Sequence, residues 1–328
     1  MIPLSLIQRP YDEIDFTRSM FDSRVVFTRP SSASRFKANG TIEVVGSNVP
    51  RIDHDPFTGE VLGLLLEAQA TNLLLNSETL STQTVTTSAA TYRLSFYGTG
   101  SITLSGSYSG TLNSAGAWPN RAQLVFTATA GPLTLTVSGN VQYAQLEVDP
   151  GYATSWIPTT TAAATRANDT ATITNASWGG QVPYIDHTLY VDFTVPYNLT
   201  GYNRSLSCRK TTTGFTDAWW YLLANNNTAG PRPVQWEGLG SALNIHTTLV
   251  SPGQRIKVAA TMQNENRRGC VNGGNVYTRG TMGTLPANLP DLIEIGAGNG
   301  ACAIGSRFKR IRFYPWLMTN AELQQVTA

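Results

Sequence analysis

Residues 91–148 read TYRLSFYGTGSITLSGSYSGTLNSAGAWPNRAQLVFTATAGPLTLTVSGNVQYAQLEV, and this stretch decides the fold. Apolar and polar residues alternate over 92–97, 101–104, 123–129, 133–137 and 141–148, the period of a strand with one buried face. Gly98-Thr99-Gly100 and Ala130-Gly131-Pro132 separate the runs as turns. Short strands at roughly ten-residue spacing, punctuated by glycine, predict a β-sandwich or jelly roll.

Upstream, residues 1–75 mix Pro3, Pro10, Pro30, Pro50 and Pro56 with short apolar runs such as Val25-Val26-Phe27, too little for an independent core. Asn39-Gly40 is a strong turn signal before a short strand over 41–45. The segment reads as an extended arm with a few strands that depends on a neighbour for burial. Downstream, 161–186 is Thr-, Ala- and then Asn/Gly-rich and reads as a linker, with 170–174 able to add a strand. From His187 the strands lengthen: 189–195, 219–223, 255–261, 293–295 and 308–314. Thr319 and Glu322 have capping-box spacing and open a short terminal helix. The expected fold is all-β, an extended N-terminal arm (1–75) followed by two β-sandwich (jelly-roll) domains (76–160 and 187–328) joined by the linker.

Composition agrees with this class. Charged residues make up 13% of the 328, roughly half the usual soluble share, and Thr, Ser, Asn and Gly take their place. These residues suit strands and tight turns. Net charge is +2, and the one basic cluster, residues 307–312, alternates as a strand with Arg310 and Arg312 on the face opposite Ile311 and Phe313. A nucleic-acid reader needs a wider basic stripe, so no nucleic-acid partner is expected. Cys208, Cys270 and Cys302 are odd in number and lack zinc spacing, and each reads as a small buried hydrophobe, although one pair on adjacent strands would be able to bridge. The start, MIPLSLIQRPYDEIDF, lacks a signal-peptide pattern, and no run approaches the about 18 apolar residues of a membrane span. A protein made in the cytoplasm without membrane insertion is expected.

Two stretches carry a family resemblance. Residues 51–78, RIDHDPFTGEVLGLLLEAQATNLLLNSE, and residues 145–169, QLEVDPGYATSWIPTTTAAATRAND, resemble segments of bacteriophage virion proteins of the tail-fibre and head-fibre type. The Phe16-Thr17-Arg18, Phe27-Thr28-Arg29 and Thr71-Asn72-Leu73-Leu74 elements belong to the same pattern, in which Trp156 stands where Tyr is common and Asn168 where a second Ala is common. Residues 76–160 resemble a carbohydrate-binding-module-like jelly roll. The order RIKVAAT, VNGG, IEIG and RIRFYPWLMTNAELQQV resembles a concanavalin-A-like (laminin G-like) sandwich across about 140 residues. The resemblance implies a virion location, attachment to other virion proteins through the arm, and a homo-oligomer, with a trimer favoured. Calcium is common in the laminin G-like class; no ligand set for it is identified here, and no other cofactor is expected.

The rest of the chain is quiet about chemistry. His54, His187 and His246 are isolated, and no H-E-x-x-H, paired Cys-x-x-Cys or nucleophile elbow occurs. His54 between Asp53 and Asp55 is a weak metal candidate against the plainer reading of a solvated turn. A glycosidase needs two carboxylates facing across a groove. Among Asp192, Asp217, Glu237, Glu265, Asp291 and Glu294 no catalytic strand pattern appears, so the chain is expected not to be an enzyme. Sugar contact is the sharper option: Trp219, Trp220, Tyr221 and Trp236, with Asn225, Asn226 and Asn227 beside them, supply ring faces and amides. Strand alternation turns one of Trp219 and Trp220 inward, so at most one of that pair is free for ligand.

The function expected is therefore a bacteriophage virion structural protein of tail-fibre or receptor-binding type, exposing lectin-like sandwiches to host-surface glycans. The alternatives are a capsid decoration or head-fibre protein with a purely structural role and, more remotely, a glycan hydrolase. Deleting residues 1–75 is expected to abolish incorporation into particles and leave the C-terminal sandwich folded.

Overall fold

A computed structural model describes residues 12–18, 20–174, 186–195, 204–209, 220–224, 234–238, 241–244, 250–262, 267–279, 291–298, 301–302 and 305–328. The architecture is all-β, with one α-helix, Asn320–Thr327, among the described residues. The chain divides into two compact units, neither continuous in sequence. The first holds Met1–Thr28, Leu62–Ala68 and Asp169–Ala328; the second holds Arg29–Val61 and Gln69–Asn168.

The second unit contains the alternating stretch, and every strand expected there is present. Gly110–Asn113, Ser101–Gly106, Gly131–Ser138 and Gln83–Thr87 form one antiparallel sheet in that order. Arg121–Ala128, Ala90–Tyr97 and Gln142–Val148 form the other. Alternation sends Leu94, Phe96, Ile102, Leu104, Leu133, Leu135 and Leu146 into one core, while Thr103, Thr111 and Thr136 stay exposed. The hairpin Ala33–Phe36 with Ile42–Val45 turns at Asn39-Gly40 as expected; Gly40 has φ +76, and Asn39 Oδ1 accepts the Thr41 N–H.

The motif residues of this unit are structural ties. Asn72 is fully buried: its Nδ2 donates to Ala144 O (3.0 Å) and Ile157 O (2.9 Å), and its Oδ1 accepts from the N–H groups of Leu74 (3.2 Å) and Leu146 (3.1 Å). Arg29, also fully buried, donates to the carbonyls of Ser31, Gly46 and Val49.

The first unit is a second two-sheet sandwich. Tyr277–Arg279, Arg267–Val271, Arg255–Met262, His187–Thr194 and Ser306–Tyr314 lie in that order, and both Asp12–Asp15 and Val61–Leu66 pair with Ser306–Tyr314. The opposing sheet runs Val25–Thr28, Thr170–Thr174, Leu292–Ile295, Arg204–Arg209, Trp220–Ala224, Val234–Gly238, Ser241–Asn244. Phe193 and Phe308 stack in the interior at 5.5 Å. The helix forms as its cap predicts: Thr319 N–H donates to Glu322 Oε2 (2.8 Å), and Glu322 N–H donates back to Thr319 Oγ1 (3.3 Å). Leu323 then packs with Met318, Tyr190, Tyr314, Ala259 and Cys270. Cys208 and Cys270 are buried free thiols, and burial pushes both thiols above their ordinary range; the side chain of Cys302 lies outside the described residues.

The two compact units do not follow the expected boundaries at 75/76, 160/161 and 186/187. The N-terminal segment does need a surface, and for its described residues that surface is within the same chain. Ile14 and Phe16 are buried where Asp12–Asp15 runs beside residues 310–313, and Val25 and Phe27 where Val25–Thr28 pairs with Thr170–Thr174. Leu64, Leu65 and Leu66 pair with residues 306–308, and Gly63 (φ +103) lies so close that a Cβ would stand 2.1 Å from Phe308 O. The described part of the expected linker is also paired: Ala164–Arg166 pairs with Ala70–Asn72, while Asp169 accepts the Glu67 N–H (2.8 Å) and donates its own N–H to Glu67 O (3.1 Å). Burial of these residues therefore gives no independent reason for an oligomer.

The same pairing explains the basic cluster. Glu13 and Asp15 lie opposite Arg312 and Arg310, with ion pairs of 2.5 and 3.1 Å, and Arg312 also lies 5.2 Å over the Tyr190 ring. Burial alone would raise the Asp15 carboxyl, but hydrogen bonds from Thr17 and Arg310 hold it below its ordinary range. An acidic strand thus neutralises the basic one within the sheet.

Candidate functional site

Of the residues expected to contact sugar, Trp219, Asn225 and Asn226 lie outside the described residues, as does Asn227. Trp220 and Tyr221 are on Trp220–Ala224, and Trp236 is on Val234–Gly238. Backbone register separates them. Trp220 is opposite Cys208, on the row of Ile293, Ile173 and Val25; Trp236 is opposite Leu222, on the row of Leu206, Ile295, Ala171 and Phe27. The described side chains of both rows are buried and apolar. Tyr221 occupies the alternate row with Ser207, Glu294 and Glu237. Trp220 and Tyr221 therefore belong to opposite faces.

Two of the carboxylates considered for hydrolysis, Asp192 and Glu294, are held inside the sandwich. Asp192 is fully buried and takes Arg255 at two points, 2.8 and 2.7 Å; Glu294 is buried, 3.3 Å from Ser207 Oγ. His54 ends the strand Ile52–His54 and is half-buried, not a solvated turn residue: its Nδ1 is 3.1 Å from Phe36 O, Asp53 accepts the Phe36 N–H, and Asp55 accepts the N–H groups of Phe57 and Thr58. No group of three His, Cys, Asp or Glu able to hold a metal occurs among the described residues.

The aromatic concentration that the structure does assemble is in the second unit, from residues far apart in sequence. Trp118 follows Gly110–Asn113, Tyr97 ends Ala90–Tyr97, Phe36 ends Ala33–Phe36, and Tyr143 lies in Gln142–Val148. The Trp118 ring centroid is 4.9 Å from Tyr97, 5.4 Å from Tyr143 and 6.1 Å from Phe36. Tyr143 in turn meets Trp156 edge-on at 4.9 Å. These tilted and edge contacts are the stable arrangements of ring quadrupoles. The Trp118 Nε1–H donates to Gly40 O (3.1 Å), which fixes the indole in its plane. Tyr97 and Trp156 are buried, Tyr143 and Phe36 are half-buried, and Trp118 keeps 38% of its surface exposed. The result is a rigid aromatic base with an open indole at its edge.

Two features frame this patch. Tyr143 adopts φ +47, a left-handed conformation costly for a residue with a Cβ. It sits in a bulge between Gln142 and Gln145, where the N–H groups of Tyr143 and Ala144 turn to Glu78 O and Ser77 O. Beside it, Arg121 lies 5.5 Å over Tyr97 and donates to Thr154 O (2.6 Å) and Ser95 Oγ (2.8 Å).

Behind Arg121, Glu147 accepts from Thr154 N–H (3.1 Å) and Thr154 Oγ1–H (2.8 Å). Burial pushes its carboxyl above the ordinary 4.5, outweighing hydrogen bonds from Gln145 and Thr154 and the charge of Arg121. The folded state therefore binds this proton more tightly than the unfolded chain. Its contribution to stability is fully present below the unfolded value and is lost as pH rises through the folded one. Glu147→Gln, which keeps one of the two acceptors for Thr154 and removes the buried charge, is expected to raise the melting temperature at pH 7 and to lose that advantage near pH 4. Melts of the two proteins at both pH values check this; an unchanged or lower midpoint at pH 7 contradicts it.

The patch escaped the sequence reading because no window holds two of its rings together. The available signal was Trp118 itself, an indole in the turn-rich NSAGAWPN loop (113–120) away from any alternating run.

No protein-family model matches the chain, and no curated protein sequence matches it. Among solved structures it is similar to a Trypanosoma rangeli sialidase in complex with the inhibitor DANA, at 17% identity over 48% of this chain and 25% of that one, with a TM-score of 0.36. It is also similar to the Ruminococcus gnavus IT-sialidase CBM40 bound to α2,3-sialyllactose, at 17% identity over 46% of this chain and 86% of that one, again with a TM-score of 0.36. The α2,6-sialyllactose complex of that module is similar at 19% identity, with coverages of 46% and 87% and a TM-score of 0.36. The matched part spans 25% of the length of the Trypanosoma sialidases. A likeness of this size carries no argument about function.

Proposed function

We propose that this chain is a bacteriophage virion structural protein of tail-fibre or receptor-binding type, and that it meets host-surface glycan through its second unit. The carrying observation is the open indole of Trp118 on a fixed aromatic base. A pyranose ring has an apolar C–H face that packs on such a plate, and its hydroxyls suit amides at the rim. The rest of the molecule supports the reading. Each unit has its own strands and buried interior, and the charge-poor, hydroxyl-rich composition suits a particle surface.

In this reading the protein binds and does not catalyse, it is made in the host bacterial cytoplasm, and it joins other virion proteins as a homo-oligomer, a trimer being favoured by the resemblance. A decoration or head-fibre role uses the same fold but turns the patch toward a neighbouring subunit. Electron cryo-microscopy of intact particles separates the two. Density for this chain at the tail with the patch facing solvent is expected; its absence from the particle overturns the proposal.

A further inference from the structure

We propose that the ligand of the Trp118 patch is an uncharged hexopyranose, stacked by its apolar face on Trp118 and flanked by Tyr143 and Phe36. This rests on the glycan-contact reading and adds its site and ligand class.

The class follows from which charges near the patch are free to meet a ligand. Arg121, the cation against the rings, has both terminal nitrogens engaged and its Nε buried: it lies over Tyr97 and donates to Thr154 O and Ser95 Oγ. Arg93, two positions from Ser95 on the same strand face, donates to Asp149 (2.8 Å) and Gln123 (3.0 Å). Neither guanidinium is positioned to clamp a carboxylate or sulfate in the bidentate manner that makes arginine an anion reader.

What the rim offers instead is neutral. Asn120, two residues from Trp118, gives one Nδ2 proton to Ala117 O (2.7 Å), Asn140 packs its backbone against the turn that follows Tyr97, and Gln142 precedes Tyr143. Asn120 and Asn140 are exposed and Gln142 is half-buried. Amides donate and accept, which suits hydroxyl groups. The exposed cation of the adjoining turn is Lys37, on the turn that carries the Gly40 carbonyl.

Tyr143 is assigned as a positioning residue. Its left-handed backbone and the bulge around it place the ring between Trp118 and Trp156. Backbone strain of this kind persists where the surroundings over-determine it, and here it fixes the flank of the plate.

The test applies the full-length protein to an array of neutral and anionic oligosaccharides, the latter sialylated, sulfated and uronate-containing. Calorimetry follows with the strongest neutral ligand, using wild type, Trp118→Ala and Trp118→Phe, each checked by thermal melting. The strongest signals are expected from neutral hexose oligosaccharides. Trp118→Ala is expected to weaken binding by about tenfold or more, the scale of one lost aromatic contact. Trp118→Phe, which keeps a ring, should stay within about threefold of wild type. Neutral binding that is unchanged in Trp118→Ala overturns the site and leaves the glycan reading standing. A preference for anionic oligosaccharides that Lys37→Ala abolishes overturns the ligand class. Failure of the wild type to bind any saccharide overturns the glycan reading and this inference together.

Discussion

A chain lacking residues 1–28 will not form its C-terminal sandwich. Those residues supply one strand to each sheet of the first unit: Asp12–Asp15 beside Ser306–Tyr314 and Val25–Thr28 beside Thr170–Thr174. Their removal takes away Ile14, Phe16, Val25 and Phe27, all buried. At about 1.5–3 kcal/mol for each buried side chain, the loss is roughly 6–12 kcal/mol, comparable with the whole stability of a typical domain. It also strips the acidic partners from Arg310 and Arg312 and bares the edge of Ser306–Tyr314, an invitation to aggregation. Hydrogen exchange is the suitable readout. Amides of Ser306–Tyr314 and Leu292–Ile295, protected in the full chain, should exchange at unfolded rates in the truncated one. A truncated protein with the same protection and melting midpoint would refute the pairing. This replaces the expectation that the sandwich survives deletion of residues 1–75, because residues 64–66 are also lost in that deletion.

The second large effect concerns Asn72. Its side chain holds two carbonyls and two N–H groups within a fully buried site. Alanine leaves all four without that partner, each worth about 1–3 kcal/mol when stranded, so Asn72→Ala should cost on the order of 4 kcal/mol or more. Asn72→Asp keeps the two acceptor bonds and sets an oxygen against the Ala144 and Ile157 carbonyls, so it should be no better. Hydrogen exchange of the Leu74 and Leu146 amides at rising urea will separate the outcomes, since both belong to the second unit and both donate to Asn72. A loss below about 1 kcal/mol, the range of an ordinary surface change, would mean that these bonds are replaced by water.

How legible each part was depends on the distance over which the chain pairs. The strands of residues 92–148 pair within one run of chain, so alternation and glycine turns sufficed to place them. The Thr319 cap is local and was equally readable. Arg310 meets Asp15 across 295 residues, and no local pattern announces such a partner. Complementary charge did hint at it, in the acidic DEID run (12–15) and the basic RFKRIR run (307–312), once both are read as strands. The same limit applies to an aromatic site. Residues 219–221 drew attention because they are adjacent in sequence. Phe36, Tyr97, Trp118 and Tyr143 form one patch although each comes from a different segment.

The central claim, that this chain stands on a particle surface with the Trp118 patch available to host glycan, is tested most directly by a side-chain-resolution map of the intact particle. The account predicts density for the chain at the tail, with Trp118, Tyr143 and Phe36 facing away from the virion and touching no neighbouring subunit. Density spread over the capsid lattice, with the Trp118 ring packed beneath an adjacent protein, would contradict it.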